Sequence, residues 1–159
     1  MNSVATIEVF VRYKTVCFYT VKREDASSSE ADDLFERMEQ QPEYADQLEQ
    51  YIAWLEDVGD HEEGALFEYF RDERICVALP PKRQYLDNAI DLRQYCHWVS
   101  PQVVILYNGG IKTTRTAQEC PNVSRHFYNA QSWTKKLKEI GIETDGQNIT
   151  NLDDLIINY

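Results

Sequence analysis

The sequence predicts an α+β fold in which a small antiparallel sheet carries an acidic helical hairpin and one further helix. Three observations predict it. Strand-forming Val, Phe, Tyr and Thr residues crowd positions 7–22, apolar residues recur at helical spacing over 28–58, and a period of two returns over 92–99. The predicted order is strand, helix, helix, strand, strand, strand, helix, in a single domain over residues 1–159.

The predicted strands differ in how specifically their sequence patterns indicate strand number and burial. Ile7 to Lys22 fits one long strand, or a hairpin bent near residues 13–15. The alternation over 92–99 predicts a strand with one buried face, and the wholly apolar run 103–107 predicts a central strand covered on both faces. These two should pair as an antiparallel hairpin and end the strand meander, which a helix over 122–140 follows.

The acidic hairpin has recognisable helix boundaries. Ser27 and Glu30 have the spacing of a capping box, and Pro42 separates two helical stripes within residues 28–58. Each stripe has one apolar face, which predicts packing against the sheet. A third, short helix is expected within residues 61–73.

Charge is distributed unevenly along the 159 residues, whose formal net charge is −11. Residues 24–73 carry eighteen acids and two bases, whereas residues 74–138 carry ten bases and three acids. Residues 139–159 form an acidic C-terminal extension without a base. Because the bases are segregated, the overall acidity does not exclude a nucleic-acid partner.

Cysteine usage and hydropathy indicate the compartment. The four cysteines lie far apart and form no C-x-x-C pair, so neither a zinc site nor a disulfide framework is expected. No apolar run has transmembrane length, and the N-terminus lacks the pattern of a signal peptide. We therefore expect a cytoplasmic protein.

Basic residues are predicted to converge at one end of the last two strands. Arg93, Tyr95 and His97 share a strand face, and Lys112 and Arg115 follow the next strand. Arg125 and His126 lie near the start of the helix after it and belong to the same predicted patch. Such groups suit a phosphodiester, because cations offset phosphate charge, tyrosine stacks on bases and histidine titrates near neutrality. Each group also has a structural explanation, such as the solvated face of an amphipathic strand.

The intervening Asn108-Gly109-Gly110 fits either a tight turn or a close approach of the backbone to a ligand. The choice between them stays open from sequence alone.

A family resemblance rests on these same residues. Leu92-Arg93, the apolar strand from Val103 to Leu106, the small-residue break and the Lys112-Thr-Thr-Arg115 segment before a helix resemble the C-terminal half of the RelE/HigB toxin superfamily. The motif resemblance covers about residues 90–138, and the element order resembles that fold over about residues 5–138.

The resemblance implies a bacterial toxin of a type II toxin-antitoxin pair, which cleaves mRNA on the ribosome by attack of a 2′-hydroxyl on the adjacent phosphate. It implies no metal, no other cofactor, and a cognate antitoxin as partner. It assigns catalysis to Lys112, Arg93 and Arg115. RNA contacts are expected from six further residues: Tyr95, His97, Lys82, Arg83, Arg125 and His126.

Two alternatives remain at this stage. The first is a non-catalytic binding or regulatory module on the same fold, from a phage or mobile element. The second is an acidic mimic of nucleic acid, which would need its acids along one exposed ridge. The acids of residues 28–58 instead spread around the polar arc of each helix, which makes the mimic the weaker alternative.

Overall fold

A computed structural model describes residues 3–82, 85, 90–113 and 116–159. The chain is α+β. Its helices and strands follow in chain order: β1 (Val4–Arg12), β2 (Cys17–Arg23), α1 (Glu30–Glu39), α2 (Ala45–Asp60), β3 (Arg71–Glu73), β4 (Cys76–Leu79), β5 (Leu92–Ser100), β6 (Val103–Ile111), α3 (Ser124–Ile140), β7 (Thr144–Asp145), β8 (Asn148–Ile149) and β9 (Ile156–Asn158).

Seven of the strands form one mixed sheet in the order β3-β4-β5-β6-β2-β1-β9. The N-terminal stretch is a hairpin, the second of the two sequence alternatives, and β2 rather than β1 reaches the centre of the sheet. There β2 runs parallel to β6, with Cys17 opposite Val103 and Thr20 opposite Leu106. The sheet is therefore larger than predicted and not purely antiparallel, because a long-range pairing joins its halves and β9 extends its edge.

The two faces of the sheet hold separate cores. Leu34 and Met38 of α1 and Leu55 of α2 pack on one face, together with Leu106 of β6. Helix α3 and the C-terminal segment cover the other face. Every residue of β6 is buried, which confirms the prediction of a central strand from its unbroken apolar run.

The predicted buried set of β5 lies under the acidic helices. Gln94 and Cys96 are fully buried, and the Gln94 side chain accepts a hydrogen bond from the Tyr51 hydroxyl of α2. The helix cap differs from the prediction, because the Ser29 side chain rather than Ser27 accepts from the Asp32 amide. The expected third helix over 61–73 is only a short 3₁₀ turn at Phe67–Tyr69 that leads into β3.

The acidic C-terminal extension is an integral part of the fold. Strand β9 pairs antiparallel with β1, and Leu155 and Ile157 are buried in the core beneath α3. The acidic residues of this segment, such as Asp153 and Asp154, remain exposed. Acidic and apolar residues thus occur together because this segment ends in an edge strand with one buried and one exposed face.

Candidate functional site

The short strand β3 brings two charged residues onto the face of the sheet that α3 covers. Arg71 lies opposite Ala78 of β4, which in turn lies opposite Tyr95 of β5. Glu73 lies opposite Cys76. Residues directly opposite each other in a sheet share a face, and Ala78, Cys76 and Tyr95 all belong to the core under α3. Arg71 and Glu73 are therefore on that face too.

Two residues from the predicted catalytic set join them. Arg93 lies opposite Gly110, and the Lys112 amide donates to the Asp91 carbonyl at 2.9 Å, which continues the antiparallel register beyond β6. Lys112 therefore follows Gly110 by two positions on the same face as Arg93. We call this group the Glu73 cluster; its members, all partly exposed, are Arg71, Glu73, Arg93 and Lys112.

Electrostatics link the members of the Glu73 cluster. Burial raises the pKa of the Glu73 carboxyl, and the charges of Lys112, Arg93 and Arg71 act in the opposite direction. Burial lowers the pKa of Arg93, and the neighbouring charge of Arg71 lowers it further. The charges of three cations thus act on one carboxyl group, with which none of them forms a direct ion pair, and the four members together carry a net positive charge.

Backbone carbonyls hold the two arginines in place. One Arg93 terminal nitrogen donates to the Leu92 carbonyl at 2.9 Å and also to the Ile90 carbonyl. Arg71 Nε donates to the Pro80 carbonyl at 3.0 Å. Neutral carbonyls orient a guanidinium without cancelling its charge, so both arginines keep the capacity to bind an anion.

Tyr95 and His97 share the face of Arg93, but Tyr95 is buried and His97 is only partly exposed. The Tyr95 ring is fully buried and packs edge-on against Phe127 of α3, with the ring centroids 5.8 Å apart. Its hydroxyl is buried, and no described residue forms a hydrogen bond with it. Tyr95 therefore has no free ring face on which a base could stack. The expected solvated face is covered because α3 packs across it, which the alternation alone could not reveal.

His97 lies further along β5, about 13 Å from Arg93 at the usual rise per residue. Burial lowers the pKa of His97 to about 4, and the charge of Lys138 lowers it as well. Lys82 is exposed, with its amide donating to the Tyr69 carbonyl. Neither residue belongs to the Glu73 cluster. Arg83 and Arg115 lie outside the described residues.

The Asn108-Gly109-Gly110 sequence lies within β6 and is not a turn. A β-bulge between Leu106 and Gly109 includes Asn108. The register of β6 against β5 shifts there, since Gln94 lies opposite Gly109 whereas Cys96 lies opposite Leu106. A Cβ atom on Gly109 would lie 1.8 Å from the Arg93 carbonyl oxygen. The structure shows no turn here, and the close approach that it does show is to the backbone of β5 and not to a ligand.

The bulge points the Asn108 side chain toward α1. Asn108 Nδ2 donates to Asp33 Oδ2 at 2.8 Å, and Arg37 donates through Nη2 to Asn108 Oδ1 at 2.5 Å and to the Gly109 carbonyl at 2.9 Å. Arg37 Nε also pairs with Asp33 at 2.9 Å, the one direct ion pair found among the described residues. The sequence does not predict this network, because its members are distant in the chain. An Asn-Gly pair ending an apolar strand was its only signal.

A second polar site, which we call the His126 cleft, opens where β2 and β6 separate. The two strands pair only as far as Thr20 and Leu106, and the helices that follow them, α1 and α3, pack on opposite faces. Crevices of this kind form beyond the carboxyl ends of parallel strands. The cleft is a cavity of about 100 Å³ lined by seven polar residues: Arg23, Glu30, Asp33, Asn108, Arg125, Asn129 and His126.

Arg125 and His126 are thus separated from the Glu73 cluster. They face Glu30 and Asp33 of the acidic helix α1, whereas the sequence analysis placed all the basic residues together. His126 is only 7% exposed, and burial lowers its pKa to about 4, with the charges of Arg37 and Arg125 adding to the effect. The predicted basic constellation is therefore divided between two sites.

Comparison with protein families, curated proteins and solved structures found no match to this chain. None of the helices formed by the described residues is long and apolar enough to cross a membrane. Among the same residues, no group of three or more His, Cys, Asp or Glu side chains is arranged to hold a metal ion.

The buried His126 and the half-buried His97 predict a loss of stability in mild acid. Their folded pKa of about 4 lies below the ordinary value of 6.5, so the unfolded chain binds more protons between these values. Stability should be fully present above pH 6.5 and decrease as the pH falls toward 4. Between pH 7.5 and 5, each histidine should lower the free energy of unfolding by about 2 kcal/mol.

Urea unfolding at the two pH values checks this prediction. His126→Gln should reduce the pH-dependent loss by about half, whereas His61→Gln, at an exposed position, should leave it unchanged. An equal loss in wild type and in a variant lacking both His97 and His126 would show that other groups cause it.

Proposed function

We propose that this chain is a RelE/HigB-like toxin of a type II toxin-antitoxin system, and that it cleaves mRNA on the ribosome at the Glu73 cluster without a metal ion. The observation that carries the proposal is the sheet register, which puts Arg71, Glu73, Arg93 and Lys112 on one face, where the three cations act on the Glu73 carboxyl. Two of the residues in this cluster are those to which the family resemblance assigns catalysis. The coarse succession of N-terminal strands, two helices, further strands and a helix supports the proposal, although the sheet is mixed and has seven strands.

The Glu73 cluster contains the groups that phosphodiester cleavage requires. Glu73 is the only carboxylate of the cluster and serves as the general base that removes the proton of the 2′-hydroxyl. The 2′-oxygen then forms a bond to phosphorus, and the bond from phosphorus to the 5′-oxygen breaks. The 5′-oxygen takes up a proton from solvent, so that one product ends in a 2′,3′-cyclic phosphate and the other in a 5′-hydroxyl.

The cations act on the charge that develops during this reaction. Arg93, oriented by the Ile90 and Leu92 carbonyls, binds the scissile phosphate, and Lys112 offsets the negative charge that accumulates in the transition state. Arg71 adds positive charge on the same face of the sheet. A cognate antitoxin would inhibit by covering this face and placing carboxylates on the cluster.

A pH profile tests the role of Glu73. Because burial raises the pKa of Glu73, its carboxylate forms at a higher pH than that of an exposed glutamate. The cleavage rate should therefore increase as the pH rises through this pKa and then level off. Glu73→Gln should remove that rise, whereas Asp72→Asn, at the exposed neighbouring position, should keep it. A profile of unchanged shape in Glu73→Gln would contradict the assignment.

The second candidate is a binding module of the same fold without catalysis. The observation that favours it is the burial of Tyr95 beneath Phe127, which removes one expected RNA contact. Induced expression in bacteria separates the two. A toxin should arrest growth and reduce the amount of intact mRNA, and co-expression of its antitoxin should restore both. Unimpaired growth with intact mRNA at a confirmed protein level would favour the binding module.

A further inference from the structure

The His126 cleft contains polar atoms that have no hydrogen-bond partner among the described residues. The ring of His126 lines the cavity, and its buried Nδ1 is one of these atoms. The buried Nε of Arg23, which also lines the cavity, is another. A buried polar atom without a partner costs about 1–3 kcal/mol, and a ligand that supplies the missing bonds recovers this cost.

The charges around the cleft favour an anion. Asp33 is neutralised by its ion pair with Arg37, which leaves Arg23 and Arg125 against the single carboxyl of Glu30. Burial raises the pKa of Glu30, whereas the charge of Arg23 and the hydrogen bond from Asn108 act in the opposite direction. The charges of Arg23 and Arg125 both act on Glu30, and all three residues line the same small cavity.

Helix α3 adds to this preference. It begins at Ser124 without a side-chain cap and has no acidic residue in its first turn, where Arg125 and His126 stand instead. The positive end of the helix dipole and these two bases therefore act in the same direction. By contrast, the first turn of α1 is capped by Ser29 and carries three acidic residues.

From these observations we infer that the His126 cleft is a binding site for a small oxyanion, a free phosphate or a compact phosphate monoester. Arg125 and Arg23 provide the charge, and the His126 ring donates a hydrogen bond to one of the oxygens. The volume of about 100 Å³ suits a group of this size and leaves no room for a stacked nucleoside. The inference rests on the cleft alone and does not depend on the activity proposed for the Glu73 cluster.

Titration with inorganic phosphate tests the site, with chloride at matched ionic strength as the reference. Phosphate should raise the melting temperature and shift the ¹⁵N signals of the His126 ring, while the exposed His61 ring stays unchanged. Arg125→Gln should weaken phosphate binding by at least about tenfold, because it removes a charge-assisted hydrogen bond. Arg125 is exposed, so the variant should fold normally.

Lys135→Gln provides the matched control, because it removes another exposed base of α3 away from the cleft. It should bind phosphate as wild type does. The inference is overturned if phosphate leaves the His126 signals unchanged, or if Arg125→Gln binds phosphate as tightly as wild type. It is also overturned if an RNA oligonucleotide without terminal phosphates displaces phosphate from the cleft, since the site would then belong to the RNA path.

Discussion

Lys112→Ala and Arg93→Ala should each lower the rate of RNA cleavage by roughly 10²–10³, because each removes a preorganised donor that acts on the transition-state charge. Lys112 is partly exposed at the end of β6, so its loss should leave the core intact. The measurement is single-turnover cleavage of a reporter mRNA on purified ribosomes. Thermal unfolding of each variant, measured in parallel, shows whether the fold is retained.

Lys135→Ala is the control for the loss of one positive charge. This lysine is exposed on α3 and does not belong to the Glu73 cluster, so its variant should cleave at the wild-type rate. A rate for Lys112→Ala within a factor of two of wild type would exclude Lys112 from catalysis. A parallel fall in Lys135→Ala would indicate that net charge alone determines the rate.

Gly109→Ala should be the most destabilising single change in β6. The new methyl group would lie 1.8 Å from the Arg93 carbonyl oxygen and 3.0 Å from Gln94 Cα, which are both backbone atoms of the neighbouring strand. Because the backbone cannot yield as a flexible side chain does, β5 and β6 must separate locally. We expect the free energy of unfolding to fall by about 3 kcal/mol or more, measured by urea denaturation.

Gly110→Ala provides the comparison at the next position. Its Cβ atom would meet the Asn122 carbonyl oxygen at 2.9 Å, outside the sheet, where a smaller shift relieves the contact. This variant should lose less stability than Gly109→Ala. Equal losses would show that the bulge tolerates separation of β5 from β6 and that close approach is not the reason for glycine at 109.

Local patterns in the sequence predicted the local structure well. The alternation over 92–99 correctly separated Gln94 and Cys96 from Arg93 and Tyr95, and the apolar run correctly marked β6 as central. Period-two patterns give the face of a side chain because the pleat of a strand requires it. They do not show what covers that face. Tyr95 was therefore placed on the correct face but expected in solvent.

These local patterns could not predict which strands pair over long distances in the sequence. Nothing in β2 distinguishes a strand that pairs parallel with β6 from one that pairs antiparallel, yet this pairing creates the His126 cleft. The contact of Arg37 with Asn108 joins residues 71 positions apart in the chain. Arg125 and His126 were consequently grouped with Lys112 by charge, although α3 directs them toward the carboxylates of α1.

The chemistry of the cut ends tests the central claim most directly. Purified protein, ribosomes and a reporter mRNA are incubated together, cleavage positions are mapped by primer extension, and the new 3′ ends are analysed for a cyclic phosphate. Wild type should produce discrete cuts that end in 2′,3′-cyclic phosphate, and Lys112→Ala and Arg93→Ala should leave the mRNA intact. Intact mRNA with all three proteins, or equal cleavage by all three, would contradict the assignment of RNA cleavage to the Glu73 cluster.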